Sequence, residues 1–496
     1  MPATASRAEP RPHAARTPDI GSLSATGLPV EDASLAPYLS TRPTGREAAP
    51  LARVRPRDTD DIVAVVRWAR EHGVPLTTVS SGPGARCRGA TAERPTVVVD
   101  LSGMDRLLKV DPQDAVAVLE PGVTFGRIDS LLAPHGLRAF KPLLPRAGKS
   151  VLASYLEREP NLQSSEQWDV LDPFGGAQLV FGTGDTFRTG GAAISGSLDD
   201  NWTAGLRYLT AIGPGGTDFM RVVQGSQGTL AILAWAAILC ERVPHLEEAR
   251  FIGADSLAPL ARLSAELHRR RIGMATFIAS NLHLASVLET EPSRIAELAA
   301  RLPAFVLYVQ LTAASEFPED KIAYQLDDLG RLAADAGLSA TGELAGHSAR
   351  TIAASQSRPP EDCYKDRAAG AHRSVFFLTQ MDGADRFVAL AQERAGMQPG
   401  ARVAIHVQPR LHGRNCHVEL VLPYDPASAS QAAAADALAG DLAQACCARG
   451  GFFSRPYGAW ADMALARNPT IKPLLRETKS IFDPDHILNP GRLCFQ

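Results

Sequence analysis

The chain has 496 residues, with 51 Lys and Arg against 54 Asp and Glu, a formal net charge of −3. That length holds two or three cores, and 45% apolar with 21% charged residues is a globular composition. The charge balance excludes a broad electrostatic grip on nucleic acid or on an anionic membrane. The best apolar run, residues 230–239, is too short to span a bilayer, and no secretory-type apolar stretch opens the chain. Seven Cys (87, 240, 363, 416, 446, 447, 494) show neither a disulfide framework nor zinc spacing. A reduced, cytoplasmic chain without a structural metal is the expectation.

Residues 1–47, rich in Ala, Arg, Pro, Ser and Thr, read as a flexible or surface-wrapping arm, with order beginning near Val54. Asp58-Thr59-Asp60-Asp61 opens an amphipathic helix through His72, stopped by Gly73. Short strands follow at 76–79, 96–101 and 115–119, then a helix at 124–135 ended by Gly136. A strand-turn-strand forms around Gly182-Thr183-Gly184-Asp185. Residues 231–240 read as a buried strand or a buried helix. Beyond Pro244 the pattern becomes helix 257–270, strand 305–311, helix 321–336, strands 375–379, 403–408 and 417–422, and a helix at 428–449. Such cycles predict an antiparallel sheet with helices on one side, an α+β domain.

The turn Ser81-Gly82-Pro83-Gly84-Ala85-Arg86 follows a strand, so its backbone N–H groups can converge on a phosphate. Most turns of this composition are only turns. Ala147-Gly148-Lys149-Ser150 imitates the end of a P-loop, but Leu143 occupies the place of its first Gly. No Gly-x-Gly-x-x-Gly and no Gly-x-Ser-x-Gly occurs, which argues against a Rossmann nucleotide site and a hydrolase elbow. His417 and Glu419 share one strand face by the period of two. Without a third ligand at comparable spacing, a satisfied polar pair is the commoner outcome than a metal site.

Taken in order, five stretches resemble the vanillyl-alcohol oxidase / p-cresol methylhydroxylase family of FAD-binding oxidoreductases. They are 80–102, Ser150-Val151-Leu152-Ala153-Ser154-Tyr155-Leu156-Glu157-Arg158, 181–190, Gly213-Pro214 with 224–232, and Phe482-Asp483-Pro484 to Arg492. The resemblance implies a two-domain α+β flavoprotein. A PCMH-type FAD-binding domain of two small α/β subdomains would span 48–243. An α+β cap with an antiparallel sheet would span 244–455, and 456–496 would return to the FAD domain. It further implies FAD contacts at Ser80, Ser81, Gly82, Pro83, Gly84, Ala85, Arg86, Ser150, Val151, Ser154, Gly228, Thr229, Ile232 and Arg492. His372 or Tyr364 is the expected place of any covalent link to the flavin.

The same resemblance places Asp169 close to flavin N5, Arg455 in the active site, and His417 with Glu419 beside it on the cap strand facing substrate. Cys87 and Ser454 stand where phenol-binding members keep two Tyr, so the phenolate clamp is absent. The function implied is hydride transfer from a small organic substrate, an alcohol or an activated, possibly aromatic, C–H bond, to flavin. Asp169 or His417 would take the proton, and O2 or another acceptor would reoxidise the cofactor. A homodimer is compatible, with no nucleic-acid or membrane partner. The alternatives are a flavin-binding scaffold without redox chemistry and a flavin-assisted isomerase, lyase or cyclase.

Overall fold

In the computed structural model, the described residues are 20–31, 50–82, 95–167, 169, 172–213, 216–457 and 459–495. The helix Thr59–His72 forms where the sequence predicts. The Asp58 carboxylate accepts the Asp61 N–H at 2.9 Å, and Gly73 ends the helix at φ 64°, where a side chain would be strained. Its buried stripe, Ile62, Val65, Val66 and Ala69, belongs to a core between two small sheets. One has the order Val30–Glu31, Ala52–Val54, Val97–Asp100, Leu76–Val79, the last three strands being parallel. The other is antiparallel, in the order Leu107–Asp111, Val116–Leu119, Ala231–Leu239, Phe174–Phe181, Thr186–Arg188.

The apolar run that sequence leaves as strand or helix is the central strand of that second sheet. Ile232 and Ala234 enter the core shared with the parallel sheet, while Leu233, Ala236 and Ile238 enter a separate core on the opposite face. Burial of both faces explains why no polar alternation marks it. Order also starts earlier than expected: a helix at Ile20–Ser24 buries Leu23, and Val30–Glu31 pairs with Ala52–Val54.

The third sheet has seven strands, all neighbours antiparallel: Ala340–Thr341, Leu246–Ala254, Phe305–Ala313, Ala275–Ser280, Ala404–Arg410, Asn415–Tyr424, Ala371–Thr379. Four long helices, Leu257–Arg269, Pro318–Asp335, Ala384–Gly396 and Ala429–Ala448, bury their stripes on one face. The opposite face is part apolar, covered by Asn281–Leu288, Pro292–Arg301 and side chains from 143–162, and part polar. Alternation along Ala404–Arg410 sends Ile405 and Val407 to the helices and His406, Gln408 and Arg410 the other way.

The C-terminal residues rejoin the parallel sheet, where Leu76 N–H donates to Ile487 O at 2.7 Å and Asn489 N–H to Leu76 O at 2.8 Å. Among the described residues no helix is long and apolar enough to cross a membrane.

Candidate active site

A cavity of about 1200 Å3, open solvent at its mouth included, lies where the expected cofactor stretches meet. Its walls come from four distant segments: 77–81, 149–157, 223–233 and 489–492, with Tyr457 added from near the C-terminus. The convergence is held by specific bonds. Gly82 N–H donates to Gly148 O at 2.8 Å, and Ser150 N–H donates to the Ser81 hydroxyl at 3.0 Å. Asn489 bridges two walls, its Oδ1 accepting the Thr78 N–H at 2.9 Å and its Nδ2 donating to Gln227 O at 3.0 Å. Gln227, Asn489 and the neighbouring Arg158 all have positive φ (57°, 42° and 57°), a conformation costing roughly 1–3 kcal/mol each that tends to gather at functional sites.

The expected cofactor residues divide accordingly. Ser80, Ser81, Gly228, Ile232 and Arg492 line the cavity, and Gly82 ties its rim to Gly148. Pro83, Gly84, Ala85 and Arg86 lie outside the described residues. On the helix Val151–Leu156, Ser150, Val151 and Ser154 do not form the lining; Lys149, Leu152, Ala153 and Leu156 do. A spacing of three and four selects that face. Ser150 instead caps the helix and donates to Pro121 O at 2.6 Å, and the Ser154 hydroxyl bonds to Glu159. Thr229 sits just behind the wall, its hydroxyl donating to Ser226 O at 2.7 Å.

His372 and Tyr364 are not among the cavity-lining residues. His372 Nδ1 lies 2.6 Å from Asp366 Oδ1 and groups with Cys363 and Asp366, while the buried Tyr364 hydroxyl lies 3.3 Å from His283 Nε2. Asp169 is not brought to the cavity either. Its side chain is 40% exposed and paired with Arg221, which also holds Asp218.

The polar face of the seven-stranded sheet carries His417 and Glu419, with His406 opposite Glu419 and Gln408 opposite His417 in register. Glu419 accepts both of its bonds to Lys365 Nζ at 2.7 Å. Burial alone would raise that carboxyl, but Lys365 and then His417 outweigh it and hold it well below the usual carboxylate range. Glu419 is therefore the counter-ion of Lys365. His417 Nε2 stands 3.8 Å from Glu419; burial, with Arg455 and His406 adding to it, pushes the imidazole down to about 3 despite that carboxylate. His406 is pushed by burial to about 4. Both rings are neutral across the physiological range.

Arg455 joins this face to the cavity. Its guanidinium stacks 4.0 Å from the centroid of Phe376, whose ring lies 6.0 Å from that of His417. Two residues on, Tyr457 lines the cavity, and the intervening Pro456 O accepts from Gln227 Nε2 at 2.8 Å. A tyrosine thus reaches the cavity three residues beyond Ser454. Sequence reasoning missed His406 and Arg410, whose signal was the alternation Ile405-His406-Val407-Gln408, and Arg158, which ends the second family-like stretch.

An FAD binding domain family matches residues 50–153. An uncharacterized FAD-linked oxidoreductase of Mycobacterium tuberculosis is 23% identical over 463 residues, 90% of this chain and 92% of that protein. The flavoprotein subunit of 4-cresol dehydrogenase (hydroxylating) from Pseudomonas putida is 29% identical over 178 residues, covering 34% of this chain and 33% of that one. Substrate-bound p-cresol methylhydroxylase superposes with a TM-score of 0.79 at 18% identity over 94% of both chains. Residues 50–153 thus match an FAD binding domain, and the fold over nearly the whole chain is that of p-cresol methylhydroxylase. The cofactor of this chain is FAD.

The cavity suits that cofactor. Positive-φ glycines at 225 and 228 bring backbone to the surface, and a Cβ on Gly225 would meet the Arg158 guanidinium carbon at 3.2 Å. Ser226 Oγ is enclosed with no hydrogen-bond partner among the described residues, a polar group awaiting a ligand.

Proposed function

We propose that this FAD-linked oxidoreductase removes a hydride and a proton from a small organic substrate held between the cavity and the polar face of the seven-stranded sheet. Bound FAD supplies a two-electron acceptor for a substrate C–H bond. The observation that carries the reading is the segment 455–457, which sets Tyr457 in the cofactor cavity and Arg455 against Phe376 and His417.

His417 is the proposed proton acceptor. An imidazole pushed to about 3 is a weak base, but a hydroxyl proton becomes strongly acidic as hydride leaves the same carbon, so a weak base in place suffices. Glu419, 3.8 Å away, then faces the imidazolium. Arg492, in the cavity wall, is proposed to stabilise negative charge on the reduced cofactor, while Arg455 orients the substrate. Asp169 has no role in this proposal, because its carboxylate is engaged by Arg221 outside the cavity.

The test is an anaerobic screen of alcohols, phenols and hydroxy acids for bleaching of the bound flavin, with product mass measured. A loss of two hydrogens and a His417→Asn variant that keeps FAD but reduces it about 100- to 10,000-fold more slowly support the reading. Bleaching at the parent rate in that variant removes His417 from the reaction, and a product of unchanged mass points to a flavin-assisted isomerase.

A further inference from the structure

Arg410 is 4% exposed, and a guanidinium so enclosed is costly unless an anion and hydrogen bonds compensate it. Among the described residues its one side-chain hydrogen bond runs from Nε to Gln167 Oε1 at 3.4 Å. Its two terminal nitrogens have no partner among the described residues. Neither is fully enclosed.

Three acids of this region are already engaged. Glu419 is held by Lys365 at 2.7 Å, Glu159 bonds to Ser154 and lies 3.6 Å from Lys149, and Asp169 is paired with Arg221. The charges that act on Arg410 are cations: after burial itself, Arg455 and Arg158 push it down to about 10.

Among the described residues neither of those two arginines forms a direct ion pair with a carboxylate, although the charge of Arg455 reaches the buried Glu159. Arg455 stacks on Phe376. Arg158 spends its bonds on Gln224, Nε to Oε1 at 3.2 Å and Nη2 to the backbone oxygen at 2.8 Å. The segment following Arg158 runs along the strand that carries Arg410, with the Gln408 amide bonded to Asn161 O and Gln167 bonded to Arg410 itself. Arg158 also borders the cavity at Gly225.

We propose that Arg410, Arg455 and Arg158 form a subsite for an anionic oxygen group, a carboxylate or a phosphate ester, carried by the substrate. The subsite rests on the oxidoreductase reading above, since it specifies the substrate of that same site. Planar guanidiniums match the geometry of such groups. A substrate anion would supply the missing counter-charge, so the enclosed cations are maintained for binding at some cost to the free protein.

FAD-loaded protein is titrated calorimetrically with benzoate, phenyl phosphate and benzyl alcohol. At least one anion is expected to bind, with benzyl alcohol about tenfold weaker or worse, and the preferred anion distinguishes a carboxylate site from a phosphate site. Arg410→Met should weaken that anion about 10- to 100-fold while FAD content stays unchanged and the melting temperature does not fall; Arg410→Lys should lie between. Equal affinity for the neutral compound, anion binding that survives Arg410→Met, or FAD lost in that variant each overturns the subsite. Flavin bleaching is read separately. Anion-selective binding without bleaching by any candidate supports the subsite and counts against the redox reading alone, whereas bleaching by neutral substrates with no anion preference does the reverse.

Discussion

Lys479 gives the sharpest test of how the C-terminal segment holds the cofactor cavity together. Its side chain is 1% exposed, and its ammonium donates to Thr229 O at 2.7 Å, Asp483 Oδ2 at 2.6 Å and Leu488 O at 3.2 Å. All three donors are used. Asp483, itself fully buried, also accepts the N–H groups of Ile487 at 3.1 Å and Leu488 at 2.8 Å. In Lys479→Met the carboxylate stays enclosed with no cation beside it, a change that costs about 3–5 kcal/mol. At about 2–4 °C per kcal/mol for a domain of this order of size, the melting temperature should fall by roughly 6–20 °C. Thr229 ends the turn whose Ser226, Gln227 and Gly228 line the cavity, so the variant should also lose FAD on gel filtration. Scanning fluorimetry and the flavin-to-protein absorbance ratio read both effects. A melting temperature within about 2 °C of the parent with full FAD content would refute the reasoning.

Three further outcomes are expected. His406 and His417 resist protonation when folded, at about 4 and about 3, but take a proton near 6.5 when unfolded. Stability should therefore be flat above pH 7 and fall by roughly 4–5 kcal/mol between pH 6.5 and 4.5; denaturant midpoints measured across that window should flatten in His406→Gln/His417→Gln, and an unchanged slope contradicts the assignment. Gly228→Ala places a side chain at φ 72° and against the Asn489 amide, so it should weaken FAD retention, measured by dialysis; parent-like retention argues that this turn is not a cofactor wall. Asp169→Asn should leave the anaerobic reduction rate within about twofold of the parent, and a loss of a hundredfold would restore Asp169 to the mechanism.

Much of the fold was legible because local chemistry and tertiary structure agree. Asp58 and Gly73 bound their helix as cap residues do, and the run at 231–239 is apolar because two cores claim its two faces. The site was less legible for a geometric reason. Family-like stretches locate a wall, but which residues face inward depends on helix phase, and a shift from Ser150 and Ser154 to Lys149, Ala153 and Leu156 turns the predicted face away. Asp169 differs in another way: a nearby cation, Arg221, captures its carboxylate. Leu23 was hidden because five helical residues in a Pro- and Ser-rich stretch carry too little periodicity to register, although one leucine suffices to dock them.

The lost tyrosine pair and the enclosed arginines bear on one question. A phenol carries at most one ionisable oxygen, and hydroxyl donors with a single cation suffice to hold it. Here Ser454 and Cys87 supply no phenol group, whereas Arg410 is buried on the polar face of the sheet with like-charged neighbours. Hydroxyls exchanged for buried cations move a pocket's preference from a neutral or weakly acidic group to one that is ionised before it enters. After burial itself, Arg455 pushes His417 to lower basicity, and an anion seated beside that guanidinium would oppose the push. The proton acceptor would then be strongest only when the correctly charged substrate is bound, which couples recognition of the anionic group to the removal of the proton.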